Sequence, residues 1–146
     1  MLGKSDIDAI IKLASDGNLQ NIDLMVSDIV GGEIPMLPPD LTAANFGNIK
    51  STATDADIAL GIINMVFEVI GMCAVFTAQS SISYNNKSYS DIVLTGTLAT
   101  FPQAHRVFSK FTEITGLNFI IPQNAVYATA FGAVQCLFSE SNVNDV

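Results

Sequence analysis

The feature that most constrains this chain is an apolar stretch from Ile58 to Ala78, whose only strongly polar members are Asn64 and Glu68. Just before it, the sequence T-D-A-D beginning at Thr54 offers a capping residue followed by an acid at the third helical position. Together these patterns predict one long helix from about Thr54 to Ala78. Such a helix needs an apolar environment along most of its surface.

A membrane and a protein interior are the two environments that suit this helix. Its length and hydropathy fit a membrane span. Against that reading, Glu68 stands in mid-span, where an acid is costly, and the flanks carry acids and Ser instead of Lys, Arg and aromatic anchors. We therefore predict no membrane span, and a buried helix in a large core or a subunit interface. A hydrogen bond from Asn64, one turn away, or from a group across an interface explains Glu68 structurally, with a functional role as the alternative.

Composition narrows the class of protein. The 146 residues amount to one domain, with 49% hydrophobic and only 14% charged residues, which predicts that some apolar surface meets a partner. The net charge of -8 excludes a nucleic-acid binder, because such proteins neutralise phosphates with cations. The amino terminus lacks the pattern of a signal peptide, which predicts a cytoplasmic protein. Cys73 and Cys136 stand among apolar neighbours and are predicted to be buried in the core.

The first part of the chain predicts short helices and a proline-rich connection. Apolar spacing predicts a helix from Ser5 to Ser15, and a second helix capped by Asn21 and extending to Val30. A strand through Leu24 and Val26 is the alternative for the second segment. The proline run that follows, from Pro35 to Pro39, predicts extended backbone.

The second half of the chain has an α/β rhythm. After the polar loop SISYNNKSYS, the segments DIVLTG and NFIIP predict two strands, and PQAHRVFSKFTEITG and NAVYATAFGAVQCLF predict helices, one ending at Gly116 and the other capped by Asn124. This alternation predicts parallel pairing with crossover helices, and therefore an α/β fold. Because two parallel strands do not form a stable sheet alone, the chain is predicted to be part of a larger structure.

Self-contained chemistry is sparse. His105 is the only histidine and is interpreted as a surface or capping residue, and no phosphate-binding motif or metal-ligand spacing occurs. We therefore assign no catalytic and no metal-binding residue. The turn T-G-T from Thr95 to Thr97 follows a buried strand at its carboxyl end, where α/β sheets bind ligands, but this signal is weak by itself.

A segment of small and polar residues, DLTAANFGN from Asp40 to Asn48, gives the chain a family resemblance. Followed by a long helix, a strand ending in a Gly turn and a final helix with the pattern Y-x-x-A-x-G-A, it resembles the carboxyl-terminal half of type II (fumble-like, eukaryotic-type) pantothenate kinases over nearly the whole chain. The resemblance implies the carboxyl-terminal part of an actin-like ATPase (ribonuclease H-like) fold, with an incomplete parallel sheet, flanking helices and the long buried helix. Residues 1–146 would then form one carboxyl-terminal lobe.

The resemblance also implies sites and partners. Thr42 and Ala43 match positions that line the pantothenate or acyl-coenzyme A site of the other subunit of a homodimer. Gly96 and Thr97 match a turn that contacts the nucleotide, and the long helix from Thr54 matches the dimer-forming helix. ATP and Mg²⁺ are the implied cofactors. The Mg²⁺ ligands and the catalytic acid are expected in a missing amino-terminal lobe.

The implied function is ATP-dependent phosphorylation of pantothenate, the first step of coenzyme A biosynthesis. This half would supply the nucleotide-side wall and the dimerisation surface. A non-catalytic dimeric module that binds nucleotide or acyl-coenzyme A is the alternative. A small sugar kinase of the same superfold is a third reading, disfavoured by DLTAANFG, because fold alone does not fix substrate.

Overall fold

The computed structural model of the chain describes residues 6–30, 37–85 and 89–141. It forms two compact units, Met1–Phe76 and Thr77–Val146, each described by itself. The helices and strands follow in the order α1 Ile7–Ala14, β1 Leu24–Met25, α2 Val26–Ile29, β2 Thr42–Ala44, α3 Asp55–Asn85, β3 Asp91–Val93, α4 Pro102–Thr115, β4 Asn118–Ile120 and α5 Ala128–Ser141. This mixture of small sheets and helices confirms the α/β class.

Helix α1 confirms the first predicted helix apart from its ends. Asp6 caps it, because the Asp6 side chain accepts a hydrogen bond from the backbone N–H of Asp8 at 3.1 Å. Ser5, the predicted cap, lies outside the described residues. The helix ends at Ala14, whose side chain is buried.

The second predicted helix, from Asn21 to Val30, is wrong in extent. A short 3₁₀ turn covers Leu19–Asn21, strand β1 follows, and only the single turn of α2 is helical. Strand β1 pairs antiparallel with β2, which lies beyond the proline run, so a long-range partner determines the local conformation. Pro35 and Met36 of the predicted extended run lie outside the described part of the chain.

Helix α3 begins with the predicted cap. The backbone N–H of Asp57 donates to Thr54 Oγ1 at 3.3 Å, and the N–H of Thr54 donates to Asp57 Oδ2 at 2.8 Å, so each residue satisfies a free donor of the other. The helix extends past the predicted end at Ala78 to Asn85. No Gly or Pro interrupts these added residues, and Ser, Tyr and Asn are tolerated in a helix.

The two faces of α3 differ in exposure. One face is buried and carries Ala59, Leu60, Ile63 and Phe67. Apolar side chains on another face are exposed, so this chain alone buries only one face of α3, and burial of the other face in a larger core or a subunit interface stays a prediction. By length and composition alone, Asp55–Ser80 could cross a membrane, yet it is partly buried within the folded chain.

A close approach between backbones fixes the loop before β1 against the start of α3. A Cβ added at Gly17 would collide with the carbonyl oxygen of Ala56 and would lie 2.8 Å from the Cβ of Leu60. The carboxylate of Asp57 then accepts hydrogen bonds from the Asn18 N–H at 2.7 Å and from Asn21 Nδ2 at 3.2 Å. Glycine is therefore needed at position 17 for this loop to reach Asp57.

The second unit contains the predicted parallel pair. Strands β3 and β4 pair in parallel with Ile92 opposite Phe119 and Val93 opposite Ile120. On one face, Phe119 stacks on Phe108 of α4 with ring centroids 5.4 Å apart. On the other face, Val93 is 59% and Ile120 is 37% exposed, so this face has little cover.

The ends of the flanking helices agree with the sequence in part. Helix α4 ends at Thr115 before Gly116, which adopts the left-handed conformation as predicted. Asn124 precedes the 3₁₀ turn Ala125–Tyr127 and not α5 directly, and its side chain makes no capping hydrogen bond. The prediction that Asn124 caps the last helix is therefore wrong.

Candidate functional site

The segment Asp40–Asn48 combines a short strand with a turn. Its strand β2 pairs with β1 so that Ala44 lies opposite Leu24 and Thr42 opposite Met25. Because two adjacent residues of β1 face residues two apart on β2, Ala43 is the extra residue of a β-bulge. Bulges bend a strand and redirect side chains, and they are frequent beside active sites.

The buried carboxylate of Asp23 holds this segment from one side. Asp23 is fully buried; its Oδ1 accepts from the backbone N–H of Phe46 at 2.8 Å and its Oδ2 accepts from Thr42 Oγ1 at 3.2 Å. Phe46 has a φ of 55°, the only positive φ of a non-glycine residue in the described part of the chain. Such a conformation persists only where neighbours enforce it, and here Asp23 does so.

The acid within the apolar stretch of α3 holds the segment from the other side. Glu68 Oε2 accepts from Asn45 Nδ2 at 2.7 Å, and Glu68 Oε1 accepts from Asn64 Nδ2 at 2.8 Å. The expectation that Asn64, one turn away, satisfies Glu68 is confirmed. The partner that sequence reasoning missed is Asn45, which belongs to the candidate site itself.

The two residues predicted to line a substrate site differ in what they expose. The Thr42 hydroxyl donates a hydrogen bond to Asp23 Oδ2, and its oxygen lies 3.5 Å from Asn64 Nδ2. Its proton is therefore already engaged in a hydrogen bond within the protein. Ala43, in contrast, is exposed at the bulge. The segment therefore exposes the methyl group of Ala43 and the bent backbone of the bulge. Thr42 holds the strand in place through its hydrogen bond to Asp23.

The carboxylate of Asp57, which caps α3, also holds the loop that contains Asn18 and Asn21. Burial acts to raise the pKa of Asp57, but hydrogen bonds from the backbone N–H groups of Thr54 and Asn18 and from the side chains of Thr54 and Asn21 outweigh it. Together they lower the pKa to about 2. Asp57 is therefore an ionised structural group at neutral pH and a poor candidate for a general base.

The predicted nucleotide turn lies in the second unit, directly after β3. Gly96 has φ 93° and ψ 174°, a region that is essentially restricted to glycine, and a Cβ there would meet no atom within 4 Å. Its N–H donates to the Ala125 carbonyl at 2.8 Å and its carbonyl accepts from the Ala99 N–H at 3.2 Å. The open side of Gly96 and the exposed Thr97 are therefore what this turn offers a ligand.

Gln103 lies at the start of α4, close behind this turn, and was not singled out from the sequence. It is only 6% exposed, and its buried Oε1 accepts no hydrogen bond within the described ranges. A buried amide oxygen that accepts no hydrogen bond is unusual. Its position after Pro102 gives no sequence signal, because glutamine is common near helix starts.

Metal-binding and nucleophilic groups do not converge in the part of the chain that the structure describes. No group of three or more His, Cys, Asp or Glu side chains there could hold a metal ion, so these residues do not by themselves provide a full set of metal ligands. His105 is exposed on α4. Cys73 and Cys136 are also exposed, so the prediction that they are buried in the core is wrong.

Exposed apolar side chains on α3 form a regular stripe. Ile62, Val69 and Phe76 recur every seven residues, with Met65 and Met72 between them, and their exposures range from 37% to 61%. This spacing is typical of the a and d positions of helices that pack against a second helix. We call these five residues the α3 seam.

Helix α5 is also apolar and exposed. Side chains from Tyr127 to Phe138 form a second outward apolar surface, with Phe131 61% and Phe138 69% exposed. Exposed apolar surface of this extent is typical of a site that contacts another protein, a membrane or a ligand. The second unit therefore has uncovered apolar surface on its sheet and on α5.

Comparison with known proteins identifies the family. Residues 1–133 match the model of the Fumble family. The chain belongs to the Fumble family. A type II pantothenate kinase of Staphylococcus epidermidis (strain RP62A) is 31% identical over 135 residues, covering 89% of this chain and 49% of that relative. The type II pantothenate kinase of Staphylococcus haemolyticus is 26% identical over 132 residues, covering 89% of this chain and 48% of that relative. The one of Bacillus cereus (strain G9842) is 30% identical over 129 residues, covering 86% of this chain and 45% of that relative.

The Fumble-family chain spans about half the length of the curated relatives it matches. The resemblance drawn from DLTAANFG is thereby confirmed, since these relatives are named type II pantothenate kinases and the match covers half of each.

Proposed function

We propose that this chain is the carboxyl-terminal lobe of a type II pantothenate kinase, which phosphorylates pantothenate with ATP in the first step of coenzyme A biosynthesis. The observation that carries the proposal is the segment Asp40–Asn48. It is part of the Fumble match, it contains an exposed bulge at Ala43, and two carboxylates hold it, the buried Asp23 and the half-buried Glu68. A segment held in strained backbone is typical of a ligand site.

In this proposal the substrate contact is made by Ala43, with Thr42 behind it. A methyl group at the bulge leaves room for pantothenate or the pantetheine part of acyl-coenzyme A to approach the backbone closely. Thr42 contributes by fixing the strand through Asp23, because its hydroxyl proton is already donated there. The segment serves the site of a second subunit.

The nucleotide side is assigned to the turn at Gly96 and Thr97. The open space beside the Gly96 Cα admits a bulky group, and the Thr97 side chain is exposed. Bound Mg²⁺–ATP supplies the phosphoryl group that is transferred. Since the described residues provide no carboxylate cluster, we assign the Mg²⁺ ligands and the catalytic acid to the amino-terminal lobe.

The homodimer that goes with this function is assigned to the α3 seam. Its seven-residue repeat fits a matching helix of a second copy, and burying it removes exposed Met, Val, Ile and Phe side chains from water. An aqueous helix–helix interface also accounts for the apolar character of α3 in a cytoplasmic protein.

Light scattering tests the dimer. Val69, 58% exposed, lies in the middle of the seam, so Val69→Glu should give a monomer where the parent chain is a dimer. Ile29, 61% exposed on α2, is a matched control, and Ile29→Glu should leave the dimer intact. A parent chain that is monomeric in plain buffer would refute the assignment, and one that dissolves only in detergent would favour a membrane span.

A kinase assay tests the proposed function. The 146-residue chain alone should not phosphorylate pantothenate, and activity dependent on ATP and Mg²⁺ should appear when the amino-terminal half of the Staphylococcus epidermidis relative is added. The reason is that the catalytic groups are assigned to that half. Activity of the isolated chain, or no activity with any amino-terminal half, contradicts the proposal.

A non-catalytic dimeric module that binds nucleotide or acyl-coenzyme A is the second candidate. It is supported by the exposed bulge at Ala43 and the open turn at Gly96, because binding at these places needs neither a catalytic acid nor Mg²⁺ ligands from this chain. Calorimetry with acetyl-coenzyme A, ATP and pantothenate separates the candidates. Tight acetyl-coenzyme A binding by the chain, without activity in the complemented assay, would identify the module.

A further inference from the structure

The hydrogen bonds of Glu68 connect α3 to both ends of the candidate substrate strand. Its two oxygens accept from Asn45 and Asn64, and Asn64 Nδ2 also lies 3.5 Å from Thr42 Oγ1. Asn64 is buried, with 4% of its surface exposed. Thr42 and Asn45 are thus both tied to α3, while the residues between them carry only methyl groups.

The orientation of the Asn45 amide depends on Glu68. Asn45 Oδ1 is buried and accepts no hydrogen bond in residues 6–30, 37–85 and 89–141. Turning the amide over would place this oxygen against the Glu68 carboxylate at 2.7 Å, where two acceptors repel each other. The bond to Glu68 therefore holds Asn45 despite the unsatisfied carbonyl.

The position of Asn45 determines where the strained turn begins. Asn45 directly precedes Phe46, whose positive φ requires enforcement by its neighbours. Asp23 fixes the N–H of Phe46, and Glu68 fixes the side chain one residue earlier. The bulge at Ala43 is consequently held between Thr42 and Asn45.

We propose that Glu68 is a positioning residue, which acts through Asn45 and Asn64 to hold the bulge at Ala43 in the conformation that contacts the pantothenate part of the substrate. This rests on the proposed function for the identity of the ligand. A carboxylate is required because it offers acceptors to two amide donors at once. Glutamine at this position would satisfy one amide and turn its own NH₂ toward the other.

An exchange of acid and amide between the partners gives a sharp test. Asn45→Asp places two carboxylates in contact, and Glu68→Gln removes one acceptor. The double variant N45D/E68Q restores the bond in reverse, because the Gln amide then donates to Asp and its carbonyl still accepts from Asn64. The double variant also keeps the net charge of the parent chain.

Amide hydrogen exchange of residues 42–46 is the measurement. We expect N45D at pH 7 to speed this exchange roughly tenfold or more, since a bond to a charged group is lost, and the double variant to return near the parent rate. The control is Asn118→Asp, which puts a carboxylate against Asp91 across 3.1 Å in the second unit and should leave this exchange unchanged.

The result that overturns the positioning role is an unchanged exchange rate in N45D, or a double variant as fast as N45D. The KM for pantothenate in the complemented kinase gives the functional readout: it should rise in N45D and recover in the double variant, while the KM for ATP stays constant. Changes confined to kcat, or equal changes in both KM values, also contradict the role. A complemented protein without kinase activity would refute the proposed function, and hydrogen exchange would still decide the positioning role.

Discussion

The segment Asp40–Asn48 and the turn at Gly96 are both candidate sites, but their surroundings differ. The first is braced by Asp23 and Glu68, buried or half-buried acids that bond to it from distant parts of the sequence. The second follows a parallel strand pair with one packed face and one exposed apolar face. Polar bonds within the first unit hold its segment in place, whereas in the second unit one apolar face of the strand pair is exposed.

Removing a buried carboxylate should reduce the unfolding free energy most, and removing an exposed one should reduce it little. Asp23→Ala leaves the Phe46 N–H and the Thr42 hydroxyl without their acceptor, which should lower the free energy of unfolding by about 3 kcal/mol. Asp91→Ala removes an exposed hydrogen bond to Asn118 and should cost at most about 0.5 kcal/mol. Urea denaturation measures both. Equal losses would show that the first unit is not braced by its buried acid.

The two faces of the β3–β4 pair give the next contrast. Phe119 stacks on Phe108, so Phe119→Ala should cost about 3 kcal/mol. Val93 lies on the exposed face, and Val93→Thr should change the unfolding free energy by less than about 0.5 kcal/mol. The same denaturation curves apply. A large loss for Val93→Thr would mean that its face is covered in the chain as it stands.

Alanine substitutions at two glycines should change the unfolding free energy by smaller amounts and in opposite directions. An added methyl at Gly17 meets the Ala56 carbonyl, so Gly17→Ala should cost about 1 to 2 kcal/mol. Gly132, in α5, has no atom within 4 Å of such a methyl, and Gly132→Ala should stabilise by about 0.5 to 1 kcal/mol. Thermal unfolding distinguishes the signs, and stabilisation by Gly17→Ala would contradict the close approach.

A further contrast is confined to acid. Since the folded-state pKa of Asp57 is about 2, below its unfolded value, its contribution to stability is present above pH 4 or so and is lost as the pH falls toward 2. Asp57→Asn should therefore flatten the pH dependence of the unfolding free energy between about pH 4 and 2. A variant as acid-sensitive as the parent chain would contradict this role.

Local signals in the sequence predicted the elements that depend on neighbouring residues. The cap at Thr54 and the end of α4 before Gly116 follow from patterns a few residues long, and the parallel pairing of β3 and β4 follows from the alternation of strands and helices in the second half of the chain. The segment from Asn21 to Val30 was mispredicted, because Asp23 bonds to Thr42 and Phe46 and draws β1 into a sheet. Propensity does not encode such distant partners.

Residue environment was harder to predict than the elements. Cys73 has apolar neighbours in sequence, but on a helix its spatial neighbours are Val69 and Phe76, which are exposed. Glu68 was recognised as an acid that needs a partner, and Asn64 was named. Asn45, the partner from the candidate site, could not be inferred, because nothing local links residues 45 and 68.

Contact between the bulge at Ala43 and pantothenate is best tested by substrate kinetics. In the chain complemented with the amino-terminal half of the Staphylococcus epidermidis relative, Ala43→Leu should raise the KM for pantothenate about tenfold or more, because the longer side chain fills the space for the substrate. The KM for ATP should not change, and Ala130→Leu on α5 is the size-matched control. A pantothenate KM that Ala43→Leu leaves unchanged would contradict the account.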